Sequence, residues 1–116
     1  MAPAYSPLVV ANGFAFTAGQ TPHDPDTDEV VGIGIEEQTD AALRHLIALL
    51  AEHGLAATDV VKATVHLNDI ERDFAGFDAA YRRWFAEPFP ARTTVGSRLD
   101  GFLVEIDVVA ASPSPA

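Results

Sequence analysis

Two segments of sequence decide the fold, FPARTTV at residues 89–95 and FLVEIDVV at residues 102–109. Both alternate between apolar and polar side chains in the period of a β-strand. Asp100-Gly101 lies between them and is a strong signal for a two-residue hairpin turn. The sequence therefore predicts a C-terminal β-hairpin with Gly96 opposite Glu105. In this register four polar side chains project from one face of the hairpin: Arg92, Thr94, Glu105 and Asp107.

This face combines one cation with carboxylates at a spacing that suits a small ligand. In the predicted register the backbones of Arg92 and Glu105 are about 14 Å apart, so the two side chains would leave a narrow gap between their tips. An arginine fork binds a carboxylate, and a glutamate can orient or deprotonate a water molecule. The pair is therefore a candidate site for an anionic substrate. The alternative is an ion pair within the sheet or between subunits, since such networks also collect on strand faces.

The composition bounds the class of protein. A chain of 116 residues with 48% hydrophobic content is expected to form one domain over residues 1–116, with a short flexible tail from about residue 112. The formal charge of -10 works against binding nucleic acid or an anionic membrane. Neither a leader pattern nor an apolar run of bilayer length is present, so a cytoplasmic protein is expected. The absence of cysteine excludes thiol nucleophiles and zinc–thiolate sites.

The rest of the chain predicts the other elements of an α+β fold. Asn12-Gly13 predicts a tight hairpin between two N-terminal strands. Helical periodicity extends over residues 35–53, and a third strand follows over residues 60–67. Asp73 is expected to cap a second helix with an aromatic face. The third strand is expected to turn four side chains to one face: Val61, Ala63, Val65 and Leu67.

The order strand, strand, helix, strand, helix, strand, strand predicts a mixed β-sheet with both helices packed on one face. The other face would stay open and carry Lys62, Thr64 and His66. From the C-terminal hairpin it would carry either the Arg92–Glu105 set or its apolar alternates. A half-apolar sheet surface of this size is usually covered by another subunit, so a homo-oligomer with sites near its interfaces is expected. The aromatic side chains of the second helix are expected in the core rather than in a ligand cage: Phe74, Phe77, Tyr81, Trp84 and Phe85.

Several kinds of catalytic site are not supported by residue spacing. The four histidines, at positions 23, 45, 53 and 66, have no metal-binding spacing on a helix. The acidic loop over residues 24–29 does not match the calcium loop of an EF-hand. The sequence has no phosphate-binding loop and no nucleophile elbow. We therefore expect no metal and no cofactor, and a chemistry that uses arginine, glutamate, backbone groups and water.

Seven short segments, in order along nearly the whole chain, resemble the RidA/YjgF family of small trimeric proteins. They are YSP (5–7), FTAGQTP (16–22), EQT (37–39), DVVKATV (59–65), YRRWF (81–85), PARTTV (90–95) and VEID (104–107). The resemblance implies a chorismate-mutase-like fold and a homotrimer with ligand clefts between subunits. It also implies hydrolysis of reactive 2-imino or enamine acids to 2-keto acids and ammonia, as by a 2-iminobutanoate/2-iminopropanoate deaminase.

The resemblance assigns roles to individual residues. Arg92 matches the family arginine that holds the substrate carboxylate, and Glu105 matches the acid that positions the attacking water. Three further positions match substrate-binding residues of the family. Gly19 corresponds to a backbone contact with the ligand, Tyr5 to an aromatic wall, and Thr94 to a small polar position.

Three departures from the family pattern bear on the substrate. The segment SRLDG (97–101) lacks the proline that often follows leucine, which shortens the final hairpin turn. Ala18 stands where many members have serine, which removes a hydroxyl contact. Asp78 stands where the best-known deaminases have asparagine, so an ionised carboxylate in the cleft would repel a small imino acid or select one that carries an amine. Two alternatives to a general deaminase stay open: a non-catalytic regulatory trimer that binds a small carboxylate, and a deaminase confined to one pathway. A ribonuclease activity, also attached to this family, is disfavoured by the charge of -10.

Overall fold

Five strands and two helices follow one another in the predicted order. In a computed structural model that describes residues 2–112, the elements are β1 (Leu8–Ala11), β2 (Phe14–Thr17), α1 (Ile35–Glu52), β3 (Val60–Leu67), α2 (Ile70–Tyr81), β4 (Ala91–Gly96) and β5 (Val104–Ala111). The strands form one sheet in the order β1-β2-β5-β3-β4. Only the β3–β4 pair is parallel among the strand pairs of the described residues. The predicted mixed sheet with two helices is confirmed.

The N-terminal hairpin forms where the sequence places it. Ala11 pairs with Phe14 across an antiparallel β1–β2 ladder. The two turn residues, Asn12 and Gly13, have φ angles of 51° and 80°. A two-residue turn with both central φ angles positive matches the right-handed twist of the strands, and asparagine followed by glycine adopts it readily.

The predicted C-terminal hairpin is wrong, because β3 lies between β4 and β5. Arg92 of β4 pairs in parallel with Ala63, and Glu105 of β5 pairs in the antiparallel sense with His66. Asp100 and Gly101 do adopt positive φ angles, 54° and 109°, but they lie in the connection between two strands that are not neighbours. The helix α2 connects β3 to β4, and such a crossover places the second strand parallel to the first. A turn signal predicts a reversal of the chain, not which strands pair.

The pairing also separates Arg92 from Glu105. Side chains of directly opposed residues in a ladder share one face of the sheet. Arg92 therefore shares a face with Ala63, which is buried among the core residues beneath the helices, whereas Glu105 shares the other face with His66. The prediction that Arg92, Thr94 and Glu105 project from one face is wrong for a single chain.

The core forms between the sheet and both helices. Along β5 and most of β3, every second side chain points into the core. There these side chains contact leucines of α1 and the aromatic rings on and just after α2. Phe77, Tyr81 and Phe85 are buried as predicted, whereas Phe74 is 41% exposed. The other face of the sheet carries partly exposed polar side chains: Lys62, Thr64, His66, Glu105 and Asp107.

The first residues of β3 depart from simple alternation. A register shift lies between Val60 and Lys62 in the ladder with β5. Because an extra residue reverses the alternation at that point, Val60 is buried while Val61 is 44% exposed. The prediction that Val61 faces the core is therefore wrong, and the prediction holds from Ala63 onward.

Helix α2 begins earlier than the sequence suggested. Asp69 is the N-cap, and its side chain accepts a hydrogen bond from the Arg72 N–H at 3.2 Å. The predicted cap, Asp73, lies inside the first turn, where it is buried and accepts two hydrogen bonds from the Arg72 guanidinium, both at 2.9 Å. Both aspartates precede apolar residues at helical spacing, and the short link after β3 selects the earlier one.

Replacing the cap tests this assignment. Asp69→Ala is expected to lower the free energy of unfolding by about 1 kcal/mol, since it leaves a first-turn N–H without its side-chain acceptor. Asp69→Asn keeps an acceptor at the same position and should lie within a few tenths of a kcal/mol of wild type. Urea unfolding followed by circular dichroism measures both. An equal loss in the two variants would show that the charge, not the cap, is responsible.

The described chain ends on the sheet. Ala111 is the last residue of β5, and the Ser112 N–H donates to the Gly13 carbonyl at 2.8 Å. Ser112, where the predicted tail begins, is thus hydrogen-bonded to the N-terminal turn, and residues 113–116 lie outside the described part of the chain. Among the described residues, no helix is both long enough and apolar enough to cross a membrane.

Candidate functional site

Arg92 projects from β4 toward the aromatic face of α2. Its guanidinium carbon lies 4.7 Å from the centre of the Tyr81 ring, 5.2 Å from that of Phe77 and 5.8 Å from that of Phe74. Contacts of this length are favourable, because the faces of aromatic rings attract a cation. The side chain is 21% exposed. The rings therefore fix the direction of the arginine fork while leaving part of it accessible.

Asp78 links Arg92 to a second arginine. One carboxylate oxygen, Oδ1, lies 2.9 Å from Arg92 Nη2, and the other, Oδ2, accepts a hydrogen bond from Arg82 Nε at 2.9 Å. The Arg82 hydrogen bond, and then that of Arg92, hold the pKa of Asp78 below its usual value even though partial burial acts in the opposite direction. Asp78 is therefore ionised at neutral pH. Its charge is matched by two cations and is not free to act on a ligand alone.

These residues line a cavity of about 250 Å³, which we call the arginine cavity. A volume of this size admits a small organic acid. Tyr81 also lines it, and within the described chain its buried hydroxyl has no hydrogen-bond partner. The full lining consists of Asp78, Tyr81, Arg82, Phe89, Pro90 and Arg92.

Glu105 meets a different group of residues. A Cβ added to Gly19 would overlap the Glu105 carboxylate, so the side chain rests directly on the glycine backbone. Two backbone hydrogen bonds hold this approach, one from Gln20 N–H to the Ile106 carbonyl at 2.7 Å and one from Ile106 N–H to the Gln20 carbonyl at 3.0 Å. Only glycine permits such a close contact. Gly19 and Tyr5, which is 68% exposed, also line a groove of about 480 Å³ along α1.

The predicted site residues thus fall into two groups. Arg92 and Asp78 meet at the arginine cavity, and Thr94 follows on the same strand two residues further on. Tyr5 and Gly19 line the groove along α1, with Glu105 against Gly19. Arg92 and Glu105 themselves lie on opposite faces of the sheet. One chain alone does not bring Arg92 and Glu105 to the same ligand.

Four lining residues of the arginine cavity were not predicted as site residues: Tyr81, Arg82, Phe89 and Pro90. Tyr81 was interpreted as core, and its burial agrees, but its ring also supports the Arg92 guanidinium. Arg82, the C-cap residue of α2, follows Asp78 by four residues, a spacing at which opposite charges meet. That signal was available in the sequence, although it does not say that the pair would lie beside Arg92.

Asp107, two residues beyond Glu105 on the open face, has an unfavourable environment for its charge. Burial raises its pKa, and the nearby charges of His66 and Lys62 act in the opposite direction. Because the folded chain holds this proton more tightly than the unfolded chain, stability falls as pH rises from about 4 through the raised pKa. Above that raised pKa the whole penalty acts on the folded chain.

Removing that charge should stabilise the chain. Asp107→Asn is expected to raise the urea midpoint of unfolding at pH 7 and to reduce its dependence on pH above about 4. Unfolding curves at pH 4, 5.5 and 7 measure both effects. A variant that is less stable than wild type at pH 7 would contradict the expected sign.

Comparison with known proteins places the chain in a family. The family model described as Endoribonuclease L-PSP matches residues 1–112. A RutC family protein of Pyrococcus abyssi is 42% identical over 108 residues, which cover 91% of this chain and 84% of that protein. A 2-iminobutanoate/2-iminopropanoate deaminase of Capra hircus is 35% identical over 108 residues, covering 91% of this chain and 78% of that protein.

The fold leads to the same family. A solved structure from Neisseria meningitidis, described as a member of the YjgF protein family, matches with a TM-score of 0.86 and 31% identity. The match covers 99% of this chain and 92% of that one. The chain therefore belongs to the RidA/YjgF family, as its seven segments indicated.

Proposed function

We propose that this protein hydrolyses reactive 2-imino acids, and the enamines that tautomerise to them, to 2-keto acids and ammonia. The observation that carries the proposal is the Arg92 guanidinium, which aromatic rings hold at the wall of a cavity of small-molecule size. A planar fork fixed in this way is suited to a carboxylate. The deaminase name of the Capra hircus relative supports the same activity.

The site is proposed to lie between two subunits of a homotrimer. Because Arg92 and Glu105 lie on opposite faces of one sheet, a joint site requires that each comes from a different chain. One subunit would supply Arg92, Asp78 and Thr94, and its neighbour Tyr5, Gly19 and Glu105. Exposed apolar side chains on β1 and β2 support contact with another chain: Val9, Val10, Phe14 and Phe16.

The proposed reaction adds water to the imine carbon. Arg92 holds the carboxylate and thereby places that carbon near Glu105. Glu105 takes a proton from the water as the C–O bond forms and passes it to the imine nitrogen, which gives a tetrahedral adduct with one hydroxyl and one amino group. Glu105 then takes the hydroxyl proton of the adduct and delivers it to the amino group, so that the C–N bond breaks, the C=O bond forms, and ammonia leaves the 2-keto acid. One water is consumed and one ammonia released.

An assay coupled to an amino-acid oxidase tests this function. The oxidase produces a nascent 2-imino acid, and trapping with semicarbazide reports how much survives. The protein is expected to reduce the trapped imine in proportion to its concentration, for at least one small amino acid, relative to the same mass of serum albumin. A trapped fraction equal to the albumin control, for both small and bulky amino acids, would exclude the activity.

Close contact between Gly19 and Glu105 provides a second prediction. Gly19→Ala is expected to lower kcat by about 10- to 100-fold, because the new Cβ displaces the carboxylate that orients water. The fold should survive, since the displaced atoms are the end of a flexible side chain. Gly34→Ala is the matched control, as a Cβ there meets nothing within 4 Å. Similar losses in both variants would contradict a specific role for the Gly19 contact.

One observation favours a second function, a regulatory trimer that binds a small carboxylate without turnover. Arg92 Nη2 is already engaged by Asp78 at 2.9 Å, so a ligand must share the arginine with an internal carboxylate. Titration calorimetry with 2-ketobutanoate separates the two functions when read beside the oxidase assay. Binding without loss of the trapped imine would favour the regulatory function.

A further inference from the structure

We infer that Asp78 and Arg82 together set the carboxylate-binding end of the site to one net positive charge, so that it accepts acids with one carboxylate and rejects those with two. The inference rests on the proposed function in one respect, namely that Arg92 holds the carboxylate of the ligand. It adds the class of acid that the site selects and two residues that perform the selection.

The geometry couples the three charged groups. Each oxygen of Asp78 lies 2.9 Å from one guanidinium nitrogen, Nη2 of Arg92 or Nε of Arg82. The two nitrogens are therefore within about 8 Å of each other. Both arginines line the arginine cavity. The Arg82 guanidinium carbon lies 5.6 Å from the centre of the Phe89 ring, which also lines the cavity.

The charges that line the cavity determine which ligand leaves the site electrically neutral. Two guanidinium groups and one carboxylate leave one positive charge, and the other lining residues are uncharged. A ligand with one carboxylate on Arg92 makes the set neutral, because Arg82 continues to neutralise Asp78. A second ligand carboxylate would have no cation left to balance it and would leave the set with one net negative charge. The negative charge of the exposed Glu87, which also acts on Arg82, disfavours that second carboxylate further.

This arrangement modifies the expectation from the sequence. An isolated Asp78 would repel every small imino acid or select one that carries an amine. With Arg82 holding one of its oxygens, Asp78 leaves Arg92 able to attract a monocarboxylate. Arg82 is thus a positioning residue, which acts on the ligand through Asp78.

Two keto acids probe the inference, 2-ketobutanoate with one carboxylate and 2-ketoglutarate with two. Titration calorimetry on the wild-type assembly is expected to give tighter binding of 2-ketobutanoate. Arg82→Ala should weaken it by roughly three- to tenfold, since Asp78 then competes fully for Arg92. The double variant Asp78→Asn with Arg82→Ala should return to within about twofold of wild type, which a purely structural role of Arg82 would not produce. Asp78→Asn alone should improve binding of 2-ketoglutarate about tenfold, and more than that of 2-ketobutanoate.

Arg83→Ala is the matched control. Arg83 is the next residue after Arg82 but binds Glu36 and Asp40 rather than Asp78. Its replacement removes the same charge and should leave the affinities for both keto acids unchanged. Equal losses in Arg82→Ala and Arg83→Ala, no rescue in the double variant, or no preference between the acids would overturn the inference.

The oxidase assay distinguishes failure of this inference from failure of the deaminase proposal. Selectivity without hydrolysis would support this inference and end the deaminase proposal, whereas hydrolysis without selectivity would do the reverse.

Discussion

Replacing Arg92 by alanine is expected to lower kcat/KM for 2-imino acid hydrolysis by at least about 100-fold. The substitution removes a charge-assisted fork for the substrate carboxylate, a change that typically costs 2–5 kcal/mol when the partner is partly buried. Among the described residues it also leaves Asp78 with Arg82 as its only partner in the cavity. The net charge of the cavity is then zero and no longer favours an anion. The oxidase-coupled assay at a fixed oxidase rate measures the loss.

Two further variants make the Arg92 result specific. Arg92→Lys keeps the charge without the planar fork and should lose about tenfold. Arg98→Ala removes an exposed arginine that pairs with Asp100 outside the arginine cavity, and should match wild type. Because Arg92 packs over the Tyr81 ring, circular dichroism and thermal unfolding must show that the alanine variant is folded. A folded Arg92→Ala protein with wild-type kcat/KM would refute the carboxylate-binding role.

Glu105→Gln is expected to reduce kcat by about 10²- to 10⁴-fold with little change in KM. The amide has the same shape as the carboxylate but cannot take a proton from water, and loss of a general base commonly costs this much. The contact with Gly19 should persist, since the substitution adds no volume. A loss confined to kcat is the signature of an interaction made in the transition state.

Asp107→Asn is the matched control for this variant. Asp107 lies two residues further along β5 and on the same face of the sheet, so it controls for removing a carboxylate from this surface. Its kcat should stay within about twofold of wild type. If both variants lose activity equally, the open face acts through its total charge, and a specific proton transfer by Glu105 is refuted.

The sequence determined those parts of the fold that depend on local physical chemistry. The Asn12-Gly13 turn formed because both residues tolerate positive φ angles. Helix α1 over Ile35–Glu52 and strand β3 over Val60–Leu67 have bounds that follow from the spacing of apolar side chains. The family, and with it Arg92 and Glu105 as candidate residues, was also identified from segments of the chain alone.

Strand pairing was decided only in three dimensions. Asp100-Gly101 reversed the chain as its residues indicated, yet β3 took the position between β4 and β5. A crossover through α2 and the burial of β3 between two partners determine this order, and both are non-local. The consequence reaches the site, because the pairing sends Arg92 and Glu105 to opposite faces of the sheet.

The charge environment of Arg92 was likewise decided by tertiary structure. The spacing of Asp78 and Arg82 predicts an ion pair on one helix, but not that the same carboxylate would reach an arginine on β4. Packing of α2 against the sheet brings the three groups together and buries the Tyr81 ring beneath them. Local patterns specify which residues are charged and which face of an element is apolar. Only the packing of distant elements determines which charges meet, because contacts between them depend on register and crossover rather than on spacing along the chain.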